Sequence, residues 1–370
     1  MAYVLSEEQQ FLKDSARDLV KMFPTAEIRT MRDTDDPDGF STKLWEKMVE
    51  MGWPGVAASE EVGGLNFGLR SAGVLMEEAG RGLSASPLLS CLVSAYVLEK
   101  HGSDEQKKLV EEICTSGKVV ALALQEGNFY KPSKSTTELL SEGEDLLLRG
   151  TKEFVADGHV ADYFIVSTHS KDGLTFVLIS ADQEGVTIEK EFMMDSRYYA
   201  KVHFADVSVA SSVVLGKPSS QRAIASDITD VASALISAEL VGLMSEAFER
   251  TVEYLKERRQ FDKAIGSFQG LQHRAADLYG EIENCKSITI KALDALDARD
   301  GLAPAYCSMA KAKCTKVAQH TTNEGVQMFG GIGMTDDEEI GFFLKRARVA
   351  AQQFGGLAYH VDRFAKMSGY

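Results

Sequence analysis

The sequence predicts an α+β chain in three blocks: an all-helical domain, a small antiparallel β domain and a four-helix bundle. Three observations carry this. Apolar residues recur at helical spacing, with caps, over roughly the first third of the chain. The stretch 118–217 breaks into short β-rich runs punctuated by turn residues. From Asp227 onward, long apolar stripes return at helical spacing. The boundaries read from these changes are 1–117, 118–217 and 218–370.

The first helix opens at Ser6, which with Gln9 spells a capping box and has Leu5 ahead of it. Leu12, Ala16, Leu19 and Phe23 follow. A second helix runs through Thr42 to Met51 and stops at Gly52. Glu60 to Gly64 is a turn. Further helices span about Leu69–Gly80, Pro87–His101 and Asp104–Cys114. The strands are Val119–Leu124, Leu146–Leu148, Tyr163–Thr168, Phe176–Ser180 and Val202–Val207. Turns at Ser141–Asp145, Lys171–Gly173 and Asp182–Gly185 separate them. In the last block, four long helices break at Phe261–Ser267, Arg299–Pro304 and Gly330–Thr335, the pattern of a bundle.

Composition narrows the function. A formal charge of −15 argues against a nucleic-acid or anionic-membrane partner, which needs a basic face. The five cysteines fit no metal or redox spacing and point to a reducing cytoplasm. Cys307 and Cys314, seven apart, share a helix face. The start Met1-Ala-Tyr-Val carries no basic n-region. The longest apolar run, Val231–Met244, is short and interrupted by Glu239, so no membrane insertion is expected. The seven histidines are scattered outside ligand spacing and are read as structural or surface residues, with no metal.

Two segments carry chemistry. In Tyr254–Gln272 a helical pattern breaks at Arg258-Arg259-Gln260-Phe261. A guanidinium fork suits phosphate oxygens, and an aromatic ring packs against a base. That break reads either as a nucleotide-diphosphate site or as a solvated basic helix end pinned by Phe261. In Gln327-Met-Phe-Gly-Gly-Ile-Gly333, adjacent glycines either expose amides to a ligand or close a helix. Thr335–Glu338 then reads as the capping box of the next helix.

The two segments together, ERRQF…IGSFQ and then QxxGGxG some sixty residues on, resemble the acyl-CoA dehydrogenase family. LSEEQQFLKDSARDLV, MGWPGVAASEEVGGLNFG, MEEAGRGL and HGSDEQKKLVEEICTSGK extend the resemblance over nearly the whole chain. It implies an α/β/α flavoenzyme that oxidises a fatty acyl-CoA thioester with FAD and passes electrons to an electron-transfer flavoprotein or similar acceptor. It also implies that Arg258 clamps pyrophosphate, Gln260 hydrogen-bonds to it, and Phe261 packs near the adenine. Gln327, Gly330 and Gly331 would present amides.

The resemblance fails in a pattern. The family's base is a Glu in a Tyr-Glu-Gly-Thr-x-Gln segment, and this chain has Gly355 at that position. The FAD-holding Thr and Gln become Leu357 and Tyr359. An alternative base position falls on Ala232. The loop lining the flavin ring and acyl chain becomes Gln125–Tyr130, and the segment over the flavin becomes Phe154-Val155-Ala156. In the family dimer, the retained segments serve the partner's FAD, whereas the lost ones serve the chain's own. That implies a non-catalytic subunit, similar to the small subunit of pimeloyl-CoA dehydrogenase, in an α2β2 heteromer. The ending FGGLAYHVDRFAK looks like that type. Two alternatives stay open. One is a self-sufficient homo-oligomer with a base relocated to Asp227, Asp230 or Glu126. The other is a non-enzymatic module that binds acyl-CoA or FAD.

Overall fold

Ser6 opens α1 (Glu7–Lys21) by accepting the Gln9 amide hydrogen bond, while the Gln9 side chain accepts from the Ser6 amide. The computed structural model describes residues 4–34, 36–142 and 145–370. The turn expected at Ser141–Asp145 includes 143–144, which lie outside the described residues.

After α1 comes α2 (Ala26–Thr34), a helix the sequence reading missed. The chain continues through α3 (Thr42–Glu50), α4 (Gly68–Arg81), α5 (Leu88–His101) and α6 (Asp104–Ser116). Seven strands follow: β1 (Val120–Ala123), β2 (Glu138–Glu142), β3 (Asp145–Ala156), β4 (Tyr163–Ser170), β5 (Gly173–Ser180), β6 (Val186–Phe192) and β7 (Tyr198–Val209). Then come α7 (Gln221–Glu257), a two-stranded hairpin of β8 (Arg259–Gln260) and β9 (Lys263–Ala264), α8 (Gln269–Asp297), α9 (Ala303–Phe329), α10 (Ile340–Gln352) and α11 (Leu357–Met367).

The chain divides into two compact units. One comprises Thr34–Gly68 and Ala85–Ala232. Its sheet runs β1-β4-β2-β3-β7-β6, with β5 also paired to β4. The sheet is mixed, whereas the sequence suggested an antiparallel one. β1 lies parallel to β4, and one bridge joins β2 to β4 in parallel. Residues from six of these strands, including Leu139, Leu148, Phe164, Val177 and Val202, meet in one buried cluster. β2 and β6 escaped detection because ELLSE and VTIEKEF are half charged or polar, and β6 pairs only with β7 at the sheet edge.

The other unit comprises Met1–Asp33, Leu69–Ser84 and Ser233–Tyr370. α9 packs against α8, α10 and α11. α4 and α7 approach until backbones nearly touch. A Cβ at Gly80 would lie 2.0 Å from the Glu239 carbonyl oxygen, and one at Gly242 would lie 1.7 Å from that of Glu77. Two expectations are corrected here. A fifth helix, α11, joins the four expected after Asp227. Thr335 does not cap α10. Its hydroxyl donates to the Ile332 carbonyl, and α10 begins at Ile340 without a side-chain cap.

α7 is long and apolar enough to cross a membrane by length and composition, but 89% of its most apolar window is buried inside the protein. The burial extends to Ser233, Ser237 and Glu239.

Candidate functional site

α7 ends at Glu257, and the chain reverses at once through a two-residue hairpin turn. Phe261 and Asp262 both take left-handed backbone angles, φ 52° and 64°, between the paired residues Gln260 and Lys263. Such a turn normally carries Asn-Gly, because L-residues with side chains resist this conformation. Here it carries a ring and an acid, which is why sequence reasoning found a break but no hairpin.

The turn holds Phe261 out in solvent, 85% exposed, its ring perpendicular to that of Phe268 at 6.1 Å between ring centres. The Lys263 ammonium lies over Phe268 at 4.1 Å. Gln260 donates to the Arg259 carbonyl at 2.8 Å, and Arg259 to the Asp262 carbonyl at 3.2 Å. The backbone of Arg258 is engaged on both sides. Its exposed guanidinium meets no partner among the described residues.

The second segment ends α9. Gln327 is exposed on the last turn. Gly330 closes the helix at φ 69°, and Gly330–Met334 forms a short 3-10 turn. A Cβ on Gly330 or Gly331 would meet nothing within 4 Å, so the backbone there faces open space. Gly333 differs, since a Cβ on it would sit 2.8 Å from the Val326 carbonyl oxygen. The first two glycines leave backbone accessible, and the third permits packing.

Contacts absent from the sequence argument join the two segments. Tyr254 stacks on Phe329 at 4.3 Å between ring centres and donates its hydroxyl hydrogen bond to the Phe329 carbonyl at 3.2 Å. Met328, Leu255 and Leu278 form a buried cluster flanked by Ile265 and Leu271. The result is a rim with a free guanidinium, two side-chain amides, a solvent-held ring and bare glycine backbone. That donor set suits a diphosphate joined to a flat base, and these residues fit the ADP half of a dinucleotide.

The turn 353–360 has the opposite character. Phe354 and Gly355 are both left-handed, φ 53° and 99°. A Cβ at Gly355 would fall 2.4 Å from Cδ1 of Tyr359. Lys311, buried on α9, reaches the carbonyl oxygens of Ala350, Ala351 and Gly355 at 3.2, 3.0 and 3.1 Å, and Thr315 Oγ1 at 3.3 Å. Burial pushes its ammonium down to about 7. Next to it, the buried His360 donates Nε2–H to the Phe354 carbonyl at 3.0 Å. Burial and the Lys311 charge push His360 down to about 3. Nearby in this unit, Arg346 and Glu239 form a two-pronged buried pair at 2.6 and 2.9 Å.

In the other unit, the loop after β1 is tied to Glu126. This carboxylate accepts from the amides of Thr136 and Thr137 and from the hydroxyls of Ser135, Thr136 and Thr137. Lys152 of β3, fully buried, meets it at 2.5 Å and also reaches Ser135 and Ser167. Burial pushes the Glu126 carboxyl up, but the Lys152 bond and charge and the Thr136 donors hold it well below the usual range. Asp227 is taken by His101 at 2.6 Å and Lys100 at 3.0 Å. Against burial, these bonds lower its carboxyl. Asp230 accepts from Ser226 at 3.0 Å, and Ala232 is fully buried. Phe154 stands left-handed, φ 54°, and 39% exposed.

Residues 6–117 match the N-terminal domain of acyl-CoA dehydrogenases, and residues 223–367 match their C-terminal domain. The short-chain specific acyl-CoA dehydrogenase of Clostridium acetobutylicum is 28% identical, covering 94% of each chain. A solved structure of the electron transferring flavoprotein of Acidaminococcus fermentans superposes over the full length of both chains with a TM-score of 0.93 and 25% identity. The Tcur3481-Tcur3483 steroid ACAD variant does so over 98% of each chain, with a TM-score of 0.89 and 27% identity. FAD is the cofactor of these dehydrogenases. With both terminal domains matched and a likeness running the length of the chain, the protein belongs to the acyl-CoA dehydrogenase family.

Proposed function

We propose that this chain is the non-catalytic half of a heteromeric acyl-CoA dehydrogenase. It contributes Arg258, Gln260, Phe261, Gln327, Gly330 and Gly331 to the ADP end of a FAD whose ring lies in a partner subunit. The observation that carries this is the placement of Tyr359 against Gly355. The position equated with the catalytic carboxylate has no space for a side chain, because the residue equated with a FAD-holding Gln fills it. FAD, when bound, supplies the acceptor for substrate electrons. This chain's residues bind and orient its diphosphate and adenine, and hold no proton at a substrate carbon.

The relocated-base reading loses support from the ion pairs. Removing a proton next to a thioester calls for a carboxylate whose basicity burial has raised. Glu126 and Asp227 are each tied to cations that lower their basicity. The paired name of the steroid ACAD and the electron transferring flavoprotein among the structural relatives agree with a partner subunit and a flavoprotein electron acceptor.

Assembly tests the proposal. Expressed alone, the chain should fold and retain little or no FAD. Co-expressed with a subunit bearing the Glu, Thr and Gln, it should give an α2β2 complex with one FAD per αβ pair, read from flavin absorbance against mass. A yellow, active homo-oligomer with one FAD per chain would overturn it.

A further inference from the structure

α2 directs its strongest contacts to one place, the turn 335–339 that follows the glycine loop. Arg32 makes a two-pronged pair with Asp336, both bonds at 2.8 Å. Arg29 donates to the Asp336 carbonyl and sets its Nε 3.4 Å from the Asp336 carboxylate. Three residues on, Glu339 accepts from the Thr25 hydroxyl at 2.5 Å and from Arg250 at 2.6 Å. Thr25 directly precedes α2, and Arg250 lies on α7 two turns before the hairpin. Within the turn, the Thr335 amide and hydroxyl both go to the Ile332 carbonyl. Asp336 and Glu339 are thus both committed to cations, and α10 begins without a side-chain cap.

The 3-10 turn Gly330–Met334 is therefore fastened at both ends. Upstream, Tyr254 holds Phe329. Downstream, α2 and Arg250 hold Asp336 and Glu339. A Cβ on Gly330 or Gly331 would meet nothing within 4 Å, so no side chain packs over these two residues, and the fastenings flank this open stretch on both sides.

We infer that Arg29 and Arg32 are positioning residues for the cofactor, acting through Asp336 to hold the Gly330–Gly331 backbone as a diphosphate-binding edge. This rests on the proposed ADP-binding role of that edge. The pairs are partly exposed, with Asp336 at 52%, so the effect weakens as salt screens them.

The test is FAD affinity, measured by flavin fluorescence on the purified full-length assembly, for Arg32→Ala, Asp336→Ala and the double variant. Amide hydrogen exchange at Gly330–Met334 is followed in the apo chain. Each single variant should weaken FAD binding about three- to tenfold and speed exchange at those amides. The double should be no weaker than the worse single, Asp336→Ala, since both singles already remove the Arg32–Asp336 pair. Arg32→Lys should recover part of the affinity, because an ammonium lacks the bidentate fork. Raising salt on the unmodified protein should produce the same weakening without any substitution, which covers a variant that fails to fold.

Unchanged exchange and affinity in Arg32→Ala and Arg32→Lys, with FAD still lost on Arg258→Ala, would overturn this inference alone. FAD affinity indifferent to Arg258→Ala as well would overturn the site assignment beneath it.

Discussion

The rim formed by 254–268 and 327–331 and the turn 353–360 belong to the same helical unit and have opposite economies of hydrogen bonding. At the rim, a guanidinium, an exposed ring and two glycines without neighbours are left facing outward. At the turn, Lys311 takes the Gly355 carbonyl together with two from the end of α10, the Phe354 carbonyl takes His360, and Tyr359 closes the space at Gly355. Unmet donors in an ordered frame mark a surface prepared for a ligand. Backbone carbonyls satisfied internally mark one that has closed.

Three perturbations break or sharpen the contrast, in falling order of size. Gly355→Glu forces a side chain into a left-handed position already occupied by Tyr359 and buries a charge beside it. It should destabilise the chain by roughly 4 kcal/mol and confer no acyl-CoA oxidation. Thermal unfolding and a dye-reduction assay read the two effects. Turnover by this single variant would show that the turn is still a working site.

Arg258→Ala acts on the open side. Charge-assisted bonds to phosphate are worth about 1.5–3 kcal/mol each, so FAD affinity should fall on the order of 10- to 100-fold while the melting temperature barely moves. Arg258→Lys should restore only part. Full flavin occupancy in the alanine variant would mean that the rim is only a solvated helix end.

The smallest effect is a pH dependence from His360. Its folded value, about 3, lies below the ordinary 6.5. Between those values the unfolded chain binds the extra proton, so stability rises with pH and falls on acidification through 6.5. Going from pH 7 to pH 5.5 should cost about 1 kcal/mol, and His360→Gln should flatten that slope. A slope that survives the substitution would place the titrating group elsewhere.

Much of the frame was legible because it is written locally. The box at Ser6, the stop at Gly52 and the apolar residues of α4 to α7 each announce themselves within a few residues. α2 did not, since AEIRTMRDT is mostly polar and its arginines find Asp336 some three hundred residues away. The six rim residues were readable as types at a spacing, but the Tyr254–Phe329 contact that joins their two segments was not. Lys311 did leave a trace. It sits in the stripe Cys307, Ala310, Cys314, Val317, where an ammonium needs a partner. Lys152 is the same kind of signal in β3, on the inward face with Leu148. In both cases the partners are distant in sequence, so a lone buried cation could be noticed but not completed.

The hairpin after α7 also bears on how the protein can be improved. Phe261 and Asp262 occupy a conformation that Asn-Gly adopts with far less strain, at a cost of about 1 kcal/mol or more per residue. A thermostability screen would pick replacements there early, because the exposed ring contributes little to folding. Each such gain would remove the one aromatic surface the turn holds out to solvent. An engineer selecting this chain for heat resistance alone would be selecting against the nucleotide grip proposed for this turn.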